Sequence, residues 1–171
     1  MRTIDPLLQY GFTLVELIVG IAILGILLAI AVPAYNGFVK NSCLTTKAVD
    51  VVSALQLARA EAVKRNAQAQ VSQTGTTSGD WSDGWAVTSG GQTLRVFEPS
   101  GCPTTTVTAS GNATQIVYDN KGFLLGGTAV DFEICDDRDN TSSGSAPGRQ
   151  ISVSSTGRPS TNSKYVAGCY P

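Results

Sequence analysis

Two hydrophobic patterns organise the amino-terminal part of the chain. From Phe12 to Val32 the sequence reads FTLVELIVGIAILGILLAIAV, an apolar run broken by one charge, Glu16. A helix rises about 1.5 Å per residue, so this run spans roughly 30 Å, the hydrocarbon thickness of a bilayer. It predicts a transmembrane helix over 12–33. From Ala34 to about Asn66 the pattern turns amphipathic. Leu44, Ala48, Val51, Leu55, Ala58 and Ala62 recur at spacings of four and three, one stripe of a 3.6-residue helix. Lys47, Asp50, Arg59, Lys64 and Arg65 form its polar flank. The stripe predicts packing on a sheet.

Beyond residue 66 the period changes. Residues 72–83 are rich in Ser, Thr, Gly and Asp and read as a loop around Trp81. Gly84–Thr88 and Thr93–Phe97 flank Ser89-Gly90-Gly91-Gln92, a hairpin signal. Residues 98–114 read as a loop carrying Cys102. Gln115–Tyr118 and Phe123–Leu125 flank Asp119-Asn120-Lys121-Gly122, a second hairpin signal. Val130–Cys135 alternates apolar and polar positions, 136–148 reads as a loop, Gln150–Ser154 is a strand, and Lys164–Tyr170 adds a short one. The expected class is α+β, a long helix packed on an antiparallel sheet, with the head at 67–171.

Composition narrows the chemistry. There are 12 basic and 13 acidic residues, which argues against coating nucleic acid by bulk charge. The chain has no histidine, the commonest general base and metal ligand. Ser and Thr are plentiful, but no nucleophile–base–orienter set is visible, so neither catalysis nor a cofactor is expected. The acidic stretch Asp136-Asp137-Arg138-Asp139-Asn140 lacks calcium-loop spacing and reads as a solvated turn. Cys43, Cys102, Cys135 and Cys169 are widely spaced. In an exported domain that even number predicts two disulfides, with three pairings open.

The apolar run is longer than the core of an ordinary signal peptide, and helical patterning continues beyond it. With eleven residues ahead of it, the expected topology keeps the amino end in the cytoplasm and exports the rest. Lys40 and Lys47 lie beyond the run, and Arg2 is offset by Asp5, so charge supports this orientation only weakly. Glu16 is the unusual residue, because a carboxylate in lipid is costly and generally functional. If the chain began at Phe12, an α-ammonium would lie about one helical turn from Glu16, and a neighbour's ammonium would neutralise it in a helix bundle.

The stretch Gly11-Phe12-Thr13-Leu14-Val15-Glu16, followed by the apolar run, resembles the processing signal of type IV pilins and type II secretion pseudopilins. The resemblance implies that residues 1–11 are a leader removed by a prepilin peptidase between Gly11 and Phe12, that Phe12 is then N-methylated, and that Glu16 guides docking into a filament. Pro33 matches a helix-kinking proline of that family; it removes the hydrogen bond to the carbonyl of Ala29. This leader is somewhat long and barely basic for the pattern.

Downstream, Asp83-Gly84-Trp85-Ala86-Val87, Leu94-Arg95, Tyr118-Asp119-Asn120-Lys121-Gly122, Val130–Cys135 and Ile151–Arg158 resemble the GspH/FimT/FimU subclass of minor pilins. That resemblance implies a Cys135–Cys169 disulfide, and with it Cys43–Cys102. It implies an inner-membrane subunit with a periplasmic head that later joins a surface pilus. Such a subunit helps prime pilus assembly and links other minor pilins to the major-pilin shaft. Two alternatives share these parts. One is a pseudopilin of type II secretion. The other is a DNA-binding minor pilin, for which Gly157-Arg158-Pro159-Ser160 supplies the first arginine of a Gly-Arg-x-Arg motif but has Ser160 in place of the second. Arg149 and Lys164 would add charge there, and Tyr165 and Tyr170 would offer rings for stacking.

Overall fold

The computed structural model describes residues 12–98, 101–102, 104–138, 146–162, 165–166 and 169. The predicted leader, with Gly11, and residues Lys164 and Tyr170 lie outside them.

The chain resolves into two compact units, residues 1–39 and 40–171. The long helix α1, Leu14–Arg65, contributes to both. In the first unit it is the apolar run itself. In the second, the predicted stripe is buried: Leu44, Ala48, Val51, Leu55, Ala58 and Ala62, joined by Ala54. Alanine at four of these positions keeps the helix surface shallow, so a sheet can approach closely.

Among the described residues nine strands follow: β1 (Ala69–Gln73), β2 (Trp85–Ser89), β3 (Gln92–Phe97), β4 (Thr106–Ala109), β5 (Gln115–Tyr118), β6 (Val130–Cys135), β7 (Ala146–Val153), β8 (Pro159–Asn162) and β9 (Tyr165–Val166). They form two antiparallel sheets rather than one. The first has the order β3-β2-β1-β5 and the second β4-β6-β7-β8, with β9 also pairing β7. The β2–β3 hairpin turns on Gly90 and Gly91, whose φ values of 58° and 77° side chains rarely adopt.

The inner faces of both sheets meet the helix stripe in one core containing Val71, Val87, Tyr118, Phe132, Ile134 and Ile151. Trp81, read from sequence as a loop residue, is 1% exposed. Its ring meets Phe132 edge-on at 5.0 Å, and its indole N–H donates to the Ala113 carbonyl at 2.8 Å. Lys47, expected on the polar flank, is buried. It is 2% exposed, with its ammonium 5.6 Å from the centre of the Trp85 ring. Three strands were not predicted: β1, β4 and β8. Phe123–Leu125, expected as a strand, makes a single bridge, Leu124 to Tyr118, before Gly126 and Gly127 turn the chain away.

Candidate functional site

Helix α1 begins with a cap. The Thr13 hydroxyl accepts from the Glu16 backbone N–H at 3.2 Å, and Leu17 N–H donates to the Thr13 carbonyl at 3.2 Å. Thr13-Leu14-Val15-Glu16 therefore has the Thr-x-x-Glu spacing of a capping box, with the carboxylate in the first turn, where the helix dipole favours negative charge. The sequence carries this signal as Thr13 three residues before Glu16. Along the run the apolar side chains stand open, from Phe12 at 83% exposed to Ile30 at 69%. This is one helix long and apolar enough to cross a membrane. Pro33 lies inside α1, where its ring removes one backbone donor.

The head is cross-tied where its part of α1 begins. Lys40 Nζ donates to Asp137 Oδ1 at 2.6 Å. This hydrogen bond holds the Asp137 carboxyl below the usual carboxylate range. Arg138 pairs with the buried Asp136 carboxylate and donates to Asn41 Oδ1 at 3.0 Å. The Asp136–Arg138 loop is thus a charge clamp on the helix rather than a free acidic turn. Among the described residues no cluster has the composition of a metal site. Disulfides join Cys43 to Cys102 and Cys135 to Cys169, with Cα separations of 5.8 and 5.2 Å. The first ties α1 to the segment before β4, and the second ties the carboxyl tail to β6.

The two candidate cations among the described residues, Arg149 and Arg158, do not converge. Arg149 turns toward α1, where Nη2 donates to Thr45 Oγ1 at 3.3 Å. Val153 is four residues further along β7, about 13 Å away. Arg158 is exposed in the turn beyond that end. Gly157 in that turn has φ +78° and packs against Gly122 and Tyr118. The motif glycine is thereby given a packing role, while Arg158 faces solvent without an ion pair among the described residues.

Comparison with known proteins agrees with this geometry. The family model described as type II transport protein GspH matches residues 47–157, and that of the prokaryotic N-terminal methylation motif matches residues 7–32. A Pseudomonas aeruginosa fimbrial protein is 47% identical over 55 residues, 32% of this chain and 35% of the relative. The type IV major fimbrial protein FimA of Dichelobacter nodosus is 57% identical over 35 residues, 20% of this chain and 22% of the relative. The chain thus spans about a third or less of the curated relatives it matches. The crystal structure of the P. aeruginosa type IV minor pilin FimU superposes with a TM-score of 0.65 at 24% identity, covering 78% of this chain and 99% of that one. Its second crystal form gives 0.61 at 22% identity, covering 74% and 100%. The fold is therefore that of a type IV pilin, and family and fold are those of structural subunits rather than enzymes.

Proposed function

Because the chain belongs to the GspH family, carries the N-terminal methylation motif and has the pilin fold, we propose that it acts as a minor type IV pilin that helps prime pilus assembly and links tip subunits to the shaft. The open apolar surface from Phe12 to Val39 carries this reading. Fully burying such side chains stabilises by about 1.5–3 kcal/mol each. The run is therefore held by lipid before assembly and by neighbouring helices afterwards.

Prepilin peptidase cuts between Gly11 and Phe12 and N-methylates Phe12. The subunit waits in the inner membrane, head in the periplasm. On assembly, Glu16 pairs with the amino terminus of a neighbour as both leave lipid, which offsets the cost of either charge alone. Pro33 removes one helical hydrogen bond and lets the run adjust to its neighbours. After that processing, assembly is noncovalent.

The test uses the tagged full chain in its own cells. Gly11→Ala is expected to leave an uncut precursor in the membrane and none in sheared pili, and deletion of the gene to reduce surface pili. An uncut precursor that still enters fibres sinks the reading. The family description favours one second reading, a pseudopilin of type II secretion. On that reading, deletion would abolish secretion of exported enzymes and leave pili intact.

A further inference from the structure

We propose that the end of the head farthest from the Lys40 clamp is a docking surface for an acidic, apolar-centred face on another pilin-like subunit. This rests on the minor-pilin reading and names the surface that reading lacks. Lys40 and Arg65 are about 38 Å apart along α1. Three segments meet at the last two turns of α1. Arg59 Nε donates to the Gly122 carbonyl at 3.0 Å, and Asn120 Nδ2 donates to Asn66 Oδ1 at 2.8 Å, which ties the Asp119–Gly122 turn to the helix end. Leu124 N–H donates to the Ser155 carbonyl at 3.3 Å, which brings in the Ser154–Arg158 turn.

Here the head exposes apolar side chains that its core has not taken. Val63, Phe123 and Leu125 are 52%, 47% and 55% exposed. The same segments carry five cations, Arg59, Lys64, Arg65, Lys121 and Arg158, against two carboxylates, Glu61 and Asp119. Both carboxylates are engaged: Glu61 by Lys64 and Arg65, Asp119 by the backbone N–H groups of Lys121 and Phe123. Neither Lys121 nor Arg158 has an ion pair among the described residues. In a chain of 12 bases and 13 acids, this excess is local.

An apolar centre inside a rim of one charge fits a protein face carrying carboxylates around its own apolar patch. Nucleic acid fits less well, because three cations without an ion pair among the described residues, of which Arg59 is half-buried and already bonded to a carbonyl, give little phosphate affinity at physiological salt, and two of the three apolar groups are aliphatic. A second copy that met this surface through its own clamp loop fits less well too. The carboxylates of its clamp loop, Asp136 and Asp137, are already held by Arg138 and Lys40.

The experiment places a photo-crosslinking amino acid at the position of Phe123 in the tagged full chain, in its own cells, with the position of Leu24 as the anchor control. Cross-linked peptides are identified by mass spectrometry. The expected product from position 123 joins the head of a different pilin-like subunit within a segment containing Asp or Glu. The double variant Lys121→Glu/Arg158→Glu is expected to lower that yield at least about tenfold and to leave the Leu24 product unchanged. A Leu24 product accompanied at position 123 by none, by a second copy or by nucleic acid overturns the proposed surface and leaves the assembly reading standing. So does a yield that survives charge reversal. Loss of both products in a correctly processed chain removes the assembly reading, and this inference with it.

Discussion

Gly157 lies so close to Gly122 that a Cβ on Gly157 would sit 2.5 Å from the Gly122 carbonyl oxygen and 2.8 Å from Cε1 of Tyr118. The same carbonyl accepts the Arg59 hydrogen bond. One peptide group thus ties together the helix, the turn after β5 and the turn before β8, and so joins the two sheets to each other.

Gly157→Ala should therefore destabilise the head on two counts. Its φ of +78° disfavours any side chain, and the methyl group meets backbone and ring rather than a flexible tip. The expected loss is about 2–4 kcal/mol, read as a shift in denaturation midpoint. Gly91→Ala is the control: it has a similar φ, but open space around the new methyl. If the two variants lose the same amount, close packing at Gly157 contributes nothing.

Lys47 is an enclosed cation whose pKa is lowered, chiefly by burial, with Asp50 partly restoring it. Buried charges are often replaced by apolar groups of similar length at no cost. Lys47→Met should leave stability unchanged or raise it by about 1 kcal/mol. A loss above about 2 kcal/mol would show instead that the ammonium's contact with the Trp85 ring outweighs its desolvation.

The disulfides close loops of 59 and 34 residues. In the chain-entropy model each stabilises by about 4 kcal/mol, with little difference between them because the dependence on length is logarithmic. Cys43→Ser/Cys102→Ser and Cys135→Ser/Cys169→Ser should each lower stability by about 2–4 kcal/mol. A native-gel or midpoint comparison of the two double variants checks that near-equality.

The sequence made the periodic elements legible. The α1 stripe, the Gly90-Gly91 hairpin and the alternation of Phe132 and Ile134 on β6 appear where periodicity put them. The strands it hid are those whose inward residues are small or absent. β1 turns in only Ala69 and Val71, β4 only Val107 and Ala109, and β8 has no large apolar residue. Trp81 was hidden by its Ser- and Gly-rich neighbours, and Lys47 by its charge. For the candidate site, the sequence could place Arg149 and Arg158 nine positions apart but could not say that β7 would separate them. Nor could it show that Lys121 and Arg158 would flank one contact, because that depends on two turns meeting across two sheets.

Tyr118 offers a pH-dependent test of the same junction. Its ring is fully buried, and its hydroxyl has no hydrogen-bond partner among the described residues. Burial pushes its pKa up to about 12, with nearby Arg59 opposing the shift. The neutral phenol is thus favoured by the fold. Its contribution is fully present below the unfolded-state pKa near 10 and is lost as pH rises toward 12, at about 1.4 kcal/mol per pH unit. Lys47 acts in the opposite direction: its folded pKa is lowered, so its burial costs less as pH rises toward 10.5. The difference between the parent chain and Tyr118→Phe isolates the phenol, because Lys47 is common to both. At pH 8 the variant should be as stable as the parent or more so, since it removes an unpartnered buried hydroxyl. Between pH 10 and 11 its advantage should grow by roughly 1 kcal/mol. A difference that stays flat across this range would mean that the phenol titrates in the folded head as it does in water.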